Sequence, residues 1–204
     1  MNRSPSSIQL NYYEKTAQQY DEMHVATDDE HQEALYWLSS LILRYNIKSV
    51  LDVGCGTGRV QLFLRDRHPD VQIVGLEPSS ALRLVAVQKG VSEDSLVDGS
   101  ALTIPFPDTT FDLVCSFGVL HHLDRPDLAV KEYIRVARHS VFISDSNNFG
   151  QGSVLARLIK NSLRIFRLWK AYIYLATGGR KYRLSDGDGL FYSYSLFNDL
   201  KQTR

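Results

Sequence analysis

Apolar positions along the chain keep two alternating rhythms. Five short runs have the length and apolar content of buried strands: Val50-Leu51-Asp52-Val53, residues 71–76, Leu96-Val97, residues 111–116 and residues 140–144. Between them, apolar residues recur at helical spacing. One such segment runs from Arg59 to Arg67. A second follows Ser79 or Ser80, candidate caps, through Ala81, Leu84, Val85 and Val87, and stops at Gly90. A third starts at Asp124 with Pro126 in its first turn and buries Leu128, Tyr133, Ile134 and Val136. A strand–helix alternation repeated five times predicts a parallel sheet with helices on both faces, an α/β fold.

The flanks follow a different pattern. Residues 1–7 read as a loose tail, after which Tyr12, Tyr13, Ala17 and Tyr20 share helical spacing. A helix from about Asp28 to Tyr45 is led by Asp28 and Asp29, which suit its dipole, and carries Leu35, Leu38, Leu41 and Ile42 on one face. From Ser153 to Ala176 a single helix is expected. Arg157, Lys160, Arg164, Arg167 and Lys170 share one arc, and Val154, Leu155, Leu158, Ile159, Ile165, Phe166, Trp169 and Ile173 take the other. Two readings stand: a surface helix with its apolar face on the domain, or a cap that meets an acidic substrate or anionic lipid. Residues 178–183 read as a loop, and residues 191–197 as an edge strand or a short helix capped by Ser195. The expected organisation is a tail and lid helix over 1–27, a ligand-binding domain over 28–148, and a helical, basic segment over 149–204.

Charge changes the picture locally. The 204 residues have a formal net charge of zero, and 44% are hydrophobic, enough for one core. Residues 146–185, however, hold eight Lys/Arg and no acid. Nucleic acid is disfavoured as a partner: no basic surface covers the core, and no Asn/Asp-Pro-Pro-Tyr/Phe run for a flipped base follows the fourth strand. Cys55 and Cys115 make no disulfide framework, no signal peptide or run of 18 apolar residues is seen, and a reducing, cytoplasmic setting fits. Adjacent His121 and His122 suggest a metal, but neighbours on a chain are expected to point apart and no third ligand is evident, so no metal is expected.

The candidate chemistry sits at Asp52-Val53-Gly54-Cys55-Gly56-Thr57-Gly58. Glycines after a buried strand let a ligand lie on the main chain, and the next helix aims its free N–H groups at the same place. Glu77 ends the second strand, where an acid can accept hydrogen bonds from both hydroxyls of a ribose. This stretch resembles the first motif of class I S-adenosylmethionine (SAM)-dependent methyltransferases. Pro105-Phe106-Pro107-Asp108 followed by residues 111–123 resembles the small-molecule branch of ubiquinone/menaquinone type, the methyltransferase domain 11-like enzymes.

The resemblance covers residues 10–145 and implies a Rossmann-like, doubly wound sheet of order 3-2-1-4-5. The C-terminal hairpin usual in that family is not recognisable here. It further implies SAM as cofactor and in-line methyl transfer to a small-molecule acceptor. Cofactor contacts would come from Tyr20 (and Tyr13), Asp52, Gly54, Cys55, Gly56, Gly58, Glu77, Pro78, Ser116, Phe117 and His121. Two alignments compete for the adenine: Asp98, or Ser100 with Ala101. His121 is the candidate base ahead of His122, and no other catalytic group can be read off. Two alternatives remain open: a non-catalytic binding protein on a shortened methyltransferase fold, and an NAD-dependent oxidoreductase, against which Asp52 and the Gly-x-Gly-x-Gly spacing argue. Oligomeric state and acceptor are left open.

Overall fold

Strand β1 (Ser49–Val53) is the centre of the molecule because four of its five residues are buried. It pairs in parallel with β2 (Gln72–Leu76) on one side and β4 (Phe111–Phe117) on the other. The short β3 (Leu96–Val97) lies outside β2, and β5 (Ala137–Ser144) outside β4, so the sheet runs β3-β2-β1-β4-β5. This is the order the resemblance implied. The computed structural model describes residues 4–25 and 30–198.

Alternation along the strands divides the core between two faces. Leu51, Val53 and Val114 pack with Tyr133 and Val136 of helix α6 (Pro126–Val136). On the other face Val50, Leu113 and Cys115 meet Leu35, Leu38 and Ile42 of α3 (Glu30–Tyr45) and Val60 and Leu64 of α4 (Arg59–Arg65). The expected lead residues of α3, Asp28 and Asp29, lie outside the described residues. Helix α5 (Ser80–Gln88) follows β2 and is capped by Ser79, whose Oγ accepts the Leu82 N–H.

Three flank expectations change. Residues 1–3 of the expected tail lie outside the described residues, and the rest is helical: α1 (Pro5–Thr16) follows Ser4, whose Oγ caps it by accepting the Ser7 N–H, with Pro5 suited to the first position. A short α2 (Tyr20–His24) follows. The helix expected over Ser153–Ala176 is two, α7 (Val154–Ile165) and α8 (Trp169–Ala176), broken where Arg167 takes φ 59°. No α7 residue is buried, so the reading of a surface helix with its apolar face on the domain fails there. Residues 178–181 are turn, as expected, and Leu196–Asn198 is a short helix after Ser195, but residues 182–192 are neither loop nor edge strand. They fold into an antiparallel hairpin, β6 (Tyr182–Ser185) and β7 (Gly189–Tyr192), which is a sheet of its own beside the five-stranded one. A C-terminal hairpin is therefore present, though the main sheet does not include it.

Candidate functional site

The site lies at the C-terminal ends of β1, β2 and β4, at the switch point where chain order reverses across β1. At Gly54 (φ +73°) a Cβ would stand 2.3 Å from Val119 Cγ2, so only glycine lets this turn approach the segment after β4. Gly56 (φ +53°) faces the Tyr20 ring, 3.8 Å from where its Cβ would be, which leaves a slot between turn and ring. The Gly54 and Cys55 N–H groups are satisfied by Leu76 O at 2.7 and 3.2 Å, tying the turn to the end of β2.

Glu77 turns toward this bend. Its Oε2 accepts the Gly56 N–H at 3.1 Å and its Oε1 the Ser79 N–H at 2.9 Å. Burial raises its pKa to about 7, against the pull of those two N–H donors. Each oxygen keeps a lone pair for a further donor. Asp52 is buried, and burial lifts its pKa to about 8. Its Oδ1 lies 3.8 Å from Cys115 Sγ, while Oδ2 has no hydrogen-bond partner and the residue lines the cavity. An orphaned carboxylate oxygen at a cavity wall is completed by a cationic or N–H-bearing ligand.

Three adjoining cavities meet here. The first, about 250 Å³, is lined by Gly54, Gly56, Glu77, Pro78, Ser100 and Ala101 among others. The second, about 130 Å³, runs over Asp52, Gly56 and Thr57 and shares Tyr20, Phe117 and His122 with the first. The third, about 460 Å³, lies under α7, α8 and the hairpin and shares His121 and Asp188 with the second.

Most of the expected contacts line these walls: Tyr20, Asp52, Gly54, Gly56, Glu77, Pro78, Ser100, Ala101, Phe117 and His121. Cys55 borders the second cavity as well, with its Sγ packed in the place a side chain on Gly75 would take, 2.6 Å away. Three need correction. Gly58 does not line the cavities; its Cβ would meet Val91 Cγ2 at 2.6 Å, so it is glycine for packing against the end of α5. Asp98 points outward and pairs with Arg83 at 3.2 Å, which leaves Ser100 and Ala101 as the wall of the first cavity. Ser116 is fully buried against the Tyr133 hydroxyl, 3.3 Å away, off the cavity.

Partners of His121 were missed. Its Nδ1 lies 2.8 Å from Asp145 Oδ1 and its Nε2 3.6 Å from Asp188 Oδ2. The ring is mostly buried, which disfavours its charge, yet the two carboxylates raise its pKa to about 9. At neutral pH the ring is therefore a donor, which argues against its reading as the base. Asp145 carried one sequence signal, as an acid ending a strand; Asp188 carried none. The argument against a metal also fails in geometry: the His121 and His122 rings lie side by side, centroids 4.1 Å apart, and Asp188 supplies a third group. The N-terminal helix closes over the same region. Gln9 of α1 donates to Asp188 O and accepts the Leu190 N–H at 2.6 Å, and Thr57 donates to Asp21 Oδ1 at 2.5 Å, where Lys89 also pairs.

A parallel sheet of order 3-2-1-4-5, a glycine bend under an orphaned acid and a second acid at the end of β2 define the class I SAM-dependent methyltransferase fold. Residues 51–143 match the family model described as a methyltransferase domain. An uncharacterized methyltransferase of Schizosaccharomyces pombe is 33% identical over 117 residues, 52% of this chain and 42% of that protein. Demethylmenaquinone methyltransferase of Thermotoga maritima is 36% identical over 86 residues, 42% of this chain and 37% of that one. The solved plantazolicin methyltransferase BpumL, in complex with a triazolic desmethylPZN analog and SAH, aligns over 97% of this chain and 86% of its own at TM-score 0.55 and 17% identity, a likeness of fold. The matches span 32% to 58% of the curated relatives' lengths.

The residues present fit SAM. The slot at Gly56 would be filled by any side chain there, and Asp52 Oδ2 lacks the donor that the amino group would bring.

Proposed function

We propose that the chain transfers a methyl group from SAM to a small apolar acceptor that carries an acidic group. The observation that supports this reading is the continuity of the three cavities, the first and second sharing Tyr20, Phe117 and His122, the second and third sharing His121 and Asp188. The first cavity suits the adenosine, with Glu77 for the ribose and Ser100 and Ala101 beside the adenine. The second suits the amino-acid end, with Asp52 for its amino group. Bound SAM supplies an electrophilic methyl carbon on a sulfonium with a neutral leaving group.

This chain's residues then position rather than react. Tyr20 and Phe117 border both cofactor cavities and exclude water. The third cavity has the size of a small-molecule site. Trp169, Tyr172 and Phe191 offer it apolar faces, and Lys160, Lys181 and Arg183 offer cationic ends. Lys160 spends two donors on Asn148 O and Gln151 O, at 2.7 and 3.1 Å, and keeps the third. A carboxylate, phenolate or phosphate on the acceptor suits that charge.

The domain division belongs to the same proposal: α1 and α2 as lid, residues 149–198 as acceptor cap. Among the described residues no helix is long and apolar enough to cross a membrane. The outer face of α7 instead exposes Val154, Leu155 and Leu158 beside Arg157 and Arg164, a pattern suited to an anionic lipid surface.

The test is incubation with methyl-labelled SAM and fractionated extract. Label is expected in a small, acidic organic fraction. Label in protein or nucleic acid alone, or a lack of any thermal shift with millimolar S-adenosylhomocysteine, overturns the reading.

A further inference from the structure

We propose that His121, His122 and Asp188 hold one divalent transition-metal ion where the second and third cavities meet. The hydrogen bonds behind the two rings decide which nitrogens are free. His122 Nδ1 lies 2.6 Å from Leu190 O, which can only accept, so that nitrogen carries the proton. His121 Nδ1 faces Asp145 Oδ1 at 2.8 Å and is a donor as well. Neutral, both rings present a lone pair on Nε2. A ligating histidine is ordinarily held this way, its other N–H given to a carboxylate or a carbonyl.

Both free nitrogens look at one carboxylate. His121 Nε2 lies 3.6 Å from Asp188 Oδ2 and His122 Nε2 3.6 Å from Asp188 Oδ1. These separations are long for a hydrogen bond. They suit atoms that share an ion, because metal–ligand bonds of about 2.0–2.2 Å put neighbouring ligands roughly 3–3.5 Å apart. The three ligand atoms lie within 4.8 Å of one another. Two imidazoles and one carboxylate select zinc, cobalt, nickel or iron(II) over magnesium or calcium, and they leave coordination positions open toward the cavities.

The site joins distant parts of the chain. The histidines follow β4, Asp188 sits in the hairpin turn, and Gln9 of α1 holds the Asp188 carbonyl at 3.3 Å. An ion here displaces the Nε2 proton of His121 to solvent. If the methyl-transfer reading above holds, its open position takes an acceptor hydroxyl and lowers that hydroxyl's pKa, the task for which no base was found. The site itself does not depend on that reading.

The experiment is titration of tag-free, metal-stripped protein with Co²⁺, without SAM, followed by visible absorption, with Zn²⁺ competing. One equivalent with d–d bands that Zn²⁺ abolishes is expected. Asp188→Asn and His122→Ala should each weaken Co²⁺ at least tenfold, and Asp145→Asn, behind His121, about 10–100-fold. Circular dichroism and a cooperative thermal transition report that the variants still fold. His122→Gln serves if His122→Ala does not. Absence of bands, or bands that persist in the folded variants, overturns the site. Metal binding without any methyl transfer overturns only the functional reading.

Discussion

The two halves of the site are built from different material. The cofactor side hangs from β1, where Val50, Leu51 and Val53 are fully buried, and its glycine bend is locked to β2 by the Leu76 carbonyl. The proposed acceptor side hangs from α7, which has no buried residue and exposes Leu155 at 68% and Leu158 at 62%. Burial fixes geometry to the ångström, and thin packing allows a wall to be exchanged or moved. On the proposed reading, the cofactor thus stands on the core, and the wall that would select an acceptor stands on elements the core barely holds.

The largest effect expected of this contrast is in stability. Leu51→Ala should cost about 2–5 kcal/mol in urea denaturation, as a buried strand residue losing three carbons. Gly54→Ala combines a left-handed φ with a clash against Val119, for about 2–4 kcal/mol and loss of S-adenosylhomocysteine binding in calorimetry.

The pH dependence comes next. Glu77 and Asp52, at about 7 and about 8, must be ionised to accept from the ligand, so binding releases protons. Affinity for S-adenosylhomocysteine should rise about tenfold from pH 6 to 8, and Glu77→Gln should flatten that rise. For stability the sign reverses. Without ligand the folded chain keeps protons that the unfolded chain loses near pH 4, so these two groups lower Tm as pH climbs from about 4 to 8. Thermal scans that show Asp52→Asn leaving this slope untouched would contradict the assignment.

On the acceptor side Lys181→Glu should raise KM roughly tenfold and leave S-adenosylhomocysteine affinity alone, read from steady-state rates. The smallest effect closes the comparison: Leu158→Ser should change stability by no more than about 0.5 kcal/mol while reducing sedimentation with anionic vesicles. A cost near that of Leu51→Ala would mean that something covers α7, and the contrast would fall.

The strands, the helices between them and the glycine bend were legible because each is written locally, in apolar runs and turn residues, whereas the strand order came from the resemblance. Glu77 was legible for the same reason, as an acid at a strand end. Asp98 misled because Asp98 and Ser100 are two positions apart, and only the pairing with Arg83 shows which one leaves the cavity. The hairpin escaped notice because β6 has every residue but Tyr182 exposed, so no apolar alternation announces it. Asp188 could not be found at all. Its place beside His121 depends on Gln9, some 180 positions away in the sequence (179 and 181 for the two bonds), a contact no local pattern encodes.

That Gln9 clasp has a consequence for synthesis. Helix α1 leaves the ribosome before the sheet and the hairpin, yet its buried Gln9 amide has nothing to hold until Asp188 and Leu190 have emerged. The five strands can assemble once Ser144 is out, with the cleft still open to solvent. Helix α1 is thus made before the sheet but clasped only after it, and a nascent chain stalled after β5 would present a finished sheet while the Gln9 amide still lacked its hairpin.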